Sequence, residues 1–186
     1  MEEAIRFVEG NDELARALGV EGPEELAVRP LAQGEHNVNF LLRAGDGRRF
    51  VLRINCASQL GLADQIGYEY GALRVLAPSG RTPEPLYVDG TRRRIGRGVL
   101  VESFVEGPWI DLRDPRQVRE AARALADVHS VAAPPDGALL RPEDPLRAQL
   151  ESCRRLFDGY RGSDLAEARV VGAVDELLAL AQRAVD

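Results

Sequence analysis

Arg53, Glu69 and the turn residues Gly34, Glu35, His36 and Asn37 are the groups in this sequence whose types and spacing suit the holding of a phosphate. The stretch Leu31-Ala32-Gln33-Gly34-Glu35-His36-Asn37-Val38-Asn39-Phe40 sets a glycine and small polar groups between two strand-like runs. Backbone N–H groups in such a turn can approach an anion closely, although the same stretch alone is also a plain hairpin turn. In Phe50-Val51-Leu52-Arg53-Ile54 the side chains alternate, so Val51 and Arg53 share the face opposite Phe50, Leu52 and Ile54. Arg53 therefore points away from the main core, either toward an anion or simply into solvent. Glu69 flanks a helical stripe from which its carboxylate can reach the inner face of the sheet and fix the Arg53 guanidinium; a solvated helix glutamate is the alternative. All 24 basic residues are arginine. Without lysine, an anion can be met only by guanidinium or backbone N–H groups, and no Schiff base can form on a side-chain amine.

The elements that would position these groups are legible from periodicity. Residues 11–18 open with a capping Asn11 and an acidic first turn and stop before Gly19, which predicts a short peripheral helix. Strand patterns follow at 26–31, 38–43 and 49–55, the last two joined by the Gly45-Asp46-Gly47 turn. Ile66, Tyr70, Leu73 and Ala77 form one stripe of a helix over 64–77, ended by Pro78, Ser79 and Gly80. Strand signals return at 85–89 and 95–104, across an Arg-rich turn at 91–94. Asp114 and Pro115 then start a helix that runs to about His129. A Pro-rich stretch at 134–145 precedes two more helical segments at about 146–158 and 164–185. The expected fold class is α+β: a five-stranded antiparallel sheet with one packed helix over 1–103, followed by a helical part over 104–186.

Composition excludes several classes. A net charge of −6 argues against sequence-independent nucleic-acid binding. No run approaches the roughly 18 apolar residues of a membrane span, and the acidic N-terminus lacks a signal-peptide core, so a cytoplasmic protein is expected. Cys56 and Cys153 follow no ligand or disulfide spacing and are read as reduced thiols. Asp111 and Asp114 suit turn and cap positions better than metal ligation. Arg92, Arg93, Arg94 and Arg97 are either solvated turn charge or an anion site.

In this order, Gln33-Gly34-Glu35-His36-Asn37-Val38-Asn39-Phe40, Phe50-Val51-Leu52-Arg53, Tyr68-Glu69-Tyr70-Gly71-Ala72-Leu73-Arg74-Val75-Leu76, the segment from Leu100 to Gly107, and Leu125-Ala126-Asp127-Val128-His129-Ser130 resemble the aminoglycoside phosphotransferase and choline kinase family, its homoserine-kinase-like and fructosamine-kinase-like branches included. The resemblance covers about residues 26–130 and rests on the ordered set, since no single motif is specific. It implies a protein-kinase-like nucleotide-binding lobe and an ATP- or GTP-dependent kinase of small-molecule hydroxyls. Gly34, Glu35, His36 and Asn37 would lie over the phosphates, Val51 would roof the base, and Arg53 would take the usual Lys place with Glu69 as its partner. Glu102, Ser103 and Phe104 would form the hinge facing an adenine edge, with Glu102 either at the gate or just after it. His129, at a helix end, is read as structural.

The resemblance also implies a His-Gly-Asp-x-x-x-x-Asn loop and a later metal-binding Asp. These orient the acceptor hydroxyl and hold Mg2+ in kinase-type phosphoryl transfer. No asparagine follows Asn55 in the sequence, so that loop is not among the 186 residues. The expectation is a nucleotide-binding portion that is catalytically incomplete as given. The competing expectation is a non-catalytic nucleotide-sensing or interaction module, with a dimer or partner covering its apolar surface.

Overall fold

Strands form where β-branched and aromatic residues alternate with polar ones, and the alternation sorts the sheet into two chemically different faces. The computed structural model describes residues 1–58, 61–132, 134 and 139–186. Five strands, β1 (Ala27–Gln33), β2 (Asn37–Arg43), β3 (Arg49–Asn55), β4 (Pro85–Asp89) and β5 (Val99–Ser103), make one antiparallel sheet in the order β1-β2-β3-β5-β4. Phe40, Leu42, Phe50, Leu52, Ile54, Val99 and Val101 are buried on one face. The opposite face carries Asn39, Val51, Arg53 and Glu102, because Asn39 and Arg53 are register partners, as are Val51 and Glu102.

The apolar face is closed by α1 (Glu2–Val8) and α2 (Asp12–Leu18), which supply Ala4, Phe7, Val8, Leu14 and Leu18 to the same core. Helix α2, expected to be peripheral, instead has Leu14 fully buried and Leu18 at 2% exposure. Seven residues are too few to show an apolar stripe, so the sequence pattern understated its burial. Asn11 joins the two helices from inside: it is fully buried, accepts from the Leu14 amide at 3.1 Å and donates to the Phe7 carbonyl at 3.2 Å. Its cap satisfies an amide that the helix start leaves without a partner.

The polar face is covered by α3 (Gln65–Leu76), capped by Asp64 accepting from the Gly67 amide at 3.0 Å. Strand and helix approach closely at Gly98, where a Cβ would lie 2.7 Å from Ile66 Cγ2. The strand expected at 95–104 begins only at Val99, because Arg92 and Gly96 close a turn: the Gly96 amide donates to the Arg92 carbonyl at 2.9 Å. Arg92 takes a left-handed backbone with φ 60° to do so.

The chain divides into two compact units, Met1–Leu139 and Leu140–Asp186. The first contains the sheet and α4 (Pro115–His129), whose N-cap Asp114 accepts from the Arg116 amide and whose Asp127 accepts from Arg81 at 2.8 Å. The second is a helical hairpin of α5 (Pro145–Arg161) and α6 (Ala168–Val185), where Leu150 and Phe157 are buried and Arg161 pairs with Asp175. The Pro-rich stretch expected at 134–145 falls partly outside the described residues, which omit 135–138. None of the described helices is long and apolar enough to cross a membrane.

Candidate functional site

Period-two alternation on β3 sets Arg53 on the polar face, and the 3.6-residue period of α3 brings Glu69 above it. Arg53 Nη1 donates to Glu69 Oε2 at 3.1 Å. Its Nη2 donates to Glu102 Oε1 on β5 at 3.0 Å. One guanidinium therefore spans two carboxylates from two elements, a geometry that the planar fork of arginine allows and a lysine ammonium would not reproduce. Glu69 is held in turn: its Oε1 accepts from Gln65 Nε2 at 2.9 Å, and Gln65 Oε1 accepts from Ser58 Oγ at 2.8 Å.

The three charged groups line a cavity of about 500 Å³ together with Asn37, Tyr68, Leu73 and Pro83. Their side chains are 30% (Arg53), 20% (Glu69) and 6% (Glu102) exposed, so the site is partly dry. Burial foremost, and then Glu69 nearby, push the Glu102 carboxyl above its ordinary range, while the Arg53 charge opposes them. Arg53 Nε and the Oδ1 of its register partner Asn39 are both buried without a hydrogen-bond partner among the described residues.

The Gly34, Glu35, His36 and Asn37 turn closes by a bond from the Gly34 amide to the Asn37 carbonyl at 2.9 Å. Among the described residues the Glu35 and His36 amides have no backbone partner. A Cβ at Gly34 would meet only the Asn37 carbonyl oxygen, at an ordinary 3.7 Å, so the lobe itself leaves open space there. Asn55 anchors the turn from β3, donating to Asn37 Oδ1 at 3.1 Å.

Of the residues singled out in the sequence, Asn37, Arg53, Glu69 and Glu102 line one cavity, and Val51 lies on the same face. Glu102 lies on that face directly opposite Val51, with its side chain against Arg53 rather than beyond the strand end. The Ser103 amide donates to the Glu84 carbonyl at 2.8 Å and the Phe104 amide to the Arg49 carbonyl at 3.2 Å. Both donors are thus engaged within the lobe. Sequence reasoning gave Gln65 no role; its spacing of four from Glu69 on a helix was the signal that could have found it.

Residues 27–186 match the model of the phosphotransferase enzyme family. The chain belongs to that family. Among relatives of this phosphotransferase-family chain is a homoserine kinase of Rhizobium meliloti, 33% identical over 127 residues that make up 63% of this chain and 37% of the relative. The chain thus spans well under half the length of the curated relatives it matches. A putative aminoglycoside phosphotransferase of Ralstonia eutropha superposes with a TM-score of 0.62 at 21% identity, over 91% of this chain and 52% of that one. A choline kinase of Cryptosporidium parvum does so at 0.63 and 13%, over 92% and 49%. At these identities the structural matches show the fold alone: a kinase-like α+β architecture.

Proposed function

We propose that the cavity around Arg53 binds a nucleoside triphosphate, ATP or GTP, as part of a kinase that phosphorylates a hydroxyl of a small molecule. The observation that carries this reading is Arg53, oriented by Glu69 in a cavity that Asn37, the last residue of the glycine turn, also lines, with the Glu35 and His36 amides of that turn lacking a backbone partner among the described residues. Guanidinium and backbone N–H groups together are what a phosphate chain requires. Val51 would cover the base, while Glu102 and the Ser103 and Phe104 segment border it. The relatives named as homoserine kinases make a hydroxyl acceptor the natural substrate class.

No asparagine follows Asn55, so the metal-binding Asn of such a reaction is not among these 186 residues. Among the described residues no cluster of three or more His, Cys, Asp or Glu could hold a metal ion.

Calorimetric titration with ATP and with GTP tests the reading. The substitution Gly34→Asp adds a carboxylate where phosphates would lie, at a position that tolerates a side chain. Weakening of at least tenfold is expected, and equal affinity in both proteins would remove the turn from the site. Absence of any nucleotide binding by the unmodified chain would remove the reading itself.

A second reading is favoured by the second unit, where Leu146, Leu156, Leu165, Leu177 and Leu180 are all more than half exposed. Leucines at this exposure suit a face that is covered in the functional assembly, by a second copy or a partner of a nucleotide-sensing module. Light scattering across a concentration series separates a monomer from a dimer.

A further inference from the structure

The chain carries −6 overall, yet one polar cavity of about 440 Å³ inverts that sign locally. It is lined by residues 55–58, Leu62, Arg92 and 96–98, and shares no residue with the Arg53 cavity. Among the described residues its walls include two guanidiniums and no carboxylate. Among the described residues Arg92 has no acidic partner; its Nη2 donates to the Ala63 carbonyl at 2.6 Å. That bond ties the β4–β5 turn to the segment entering α3 and fixes the guanidinium over the cavity.

Arg92 sits in the left-handed backbone region noted above, a conformation uncommon for a non-glycine residue. Among the described residues Arg97 pairs with Glu3, at 3.5 Å, with both side chains about 40% exposed. Exposed pairs of this kind contribute little, so an oxyanion can take the place of Glu3. The back wall of the cavity is also the support of the glycine turn: the Cys56 and Ala57 amides donate to the His36 carbonyl at 2.7 and 3.3 Å.

We propose that this cavity is an anion site for a small phosphate-bearing molecule, held between Arg92 and Arg97 behind the Gly34 turn. Two arginine forks in a concave polar wall match phosphate oxygens. The volume leaves room for an organic portion, and the chain's net charge of −6 disfavours a nucleic acid backbone. This assignment stands whether or not the Arg53 cavity takes a nucleotide.

The test is a titration of the whole chain with inorganic phosphate, followed by the amide resonances of Cys56, Ser58, Gly96 and Gly98, at ionic strength held constant with sodium chloride. Saturable shifts at these amides are expected, with the affinity falling at least tenfold in the double variant Arg92→Gly and Arg97→Gln. Glycine suits φ 60°, so the first substitution removes the guanidinium without demanding a new backbone. Shifts that do not saturate, or that chloride reproduces, would overturn the assignment. So would shifts that persist at equal affinity in the double variant, since phosphate would then occupy the Arg53 cavity.

Discussion

Replacing Arg53 with alanine removes the cation that Glu69 and Glu102 share, and leaves two carboxylates facing each other across the α3–β5 gap. Removing one partner of a buried ion pair costs about 3–5 kcal/mol. Arg53 is 30% exposed and Glu69 20%, so water can reach part of the site and the lower end, about 3 kcal/mol, is expected. In a chain of this size that lowers the melting temperature by roughly 6–12 °C. The loss must also depend on pH. Glu102 already sits above its ordinary 4.5 through burial and Glu69, with Arg53 holding it down. Its contribution to stability is complete below 4.5 and declines as pH rises through the folded-state pKa. Without Arg53 that pKa rises further, so the decline extends to higher pH. The gap between Arg53→Ala and the unmodified chain should therefore be widest near neutrality and narrow toward pH 5. Urea unfolding at pH 5, 6 and 7.5 measures it, and adding Glu102→Gln to the variant should recover at least half of the loss. A loss under about 1 kcal/mol, or one that stays constant across that range, would refute the shared-cation argument.

Three further outcomes follow from single contacts. Glu102→Gln alone should flatten the pH dependence: the stability of the unmodified chain relative to this variant falls between pH 5 and 7.5, and a rise would mean that the Arg53 attraction outweighs burial. Asn11→Ala removes the buried cap on Leu14 and the donor to Phe7, and should cost about 2 kcal/mol by denaturant unfolding; a cost within error would place the α1–α2 joint outside the cooperative core. Gly98→Ala sets a methyl 2.7 Å from Ile66 Cγ2 and should cost about 1–3 kcal/mol, with Ile66→Val added to the variant relieving part of it.

Alternation at period two fixed which residues of 49–55 would share a face, because successive side chains on a strand must point to opposite sides. The helix start at 64 and the hairpin turn at Gly34 were readable for the same local reason, since caps, turns and stripes are properties of short segments; whether Glu69 meets Arg53 or solvent stayed open until the packing of α3 on the sheet brought them to 3.1 Å. Glu102 shows where that stops. Its neighbours, Val101 and Ser103, say only that it lies in a strand; that β5 inserts between β3 and β4, opposing Glu102 to Val51 and bringing it to Arg53, is a matter of strand order. The burial of α2 was hidden likewise, since two leucines four apart gain their meaning only from the apolar sheet face across from them. The cavity between Arg92 and Arg97 depends on a left-handed turn that no neighbouring residue announces. Composition and local periodicity thus determined the elements and the chemistry available to them, while the pairing of distant strands decided which charges meet, because charge contacts depend on distances of a few ångströms that only the folded chain sets.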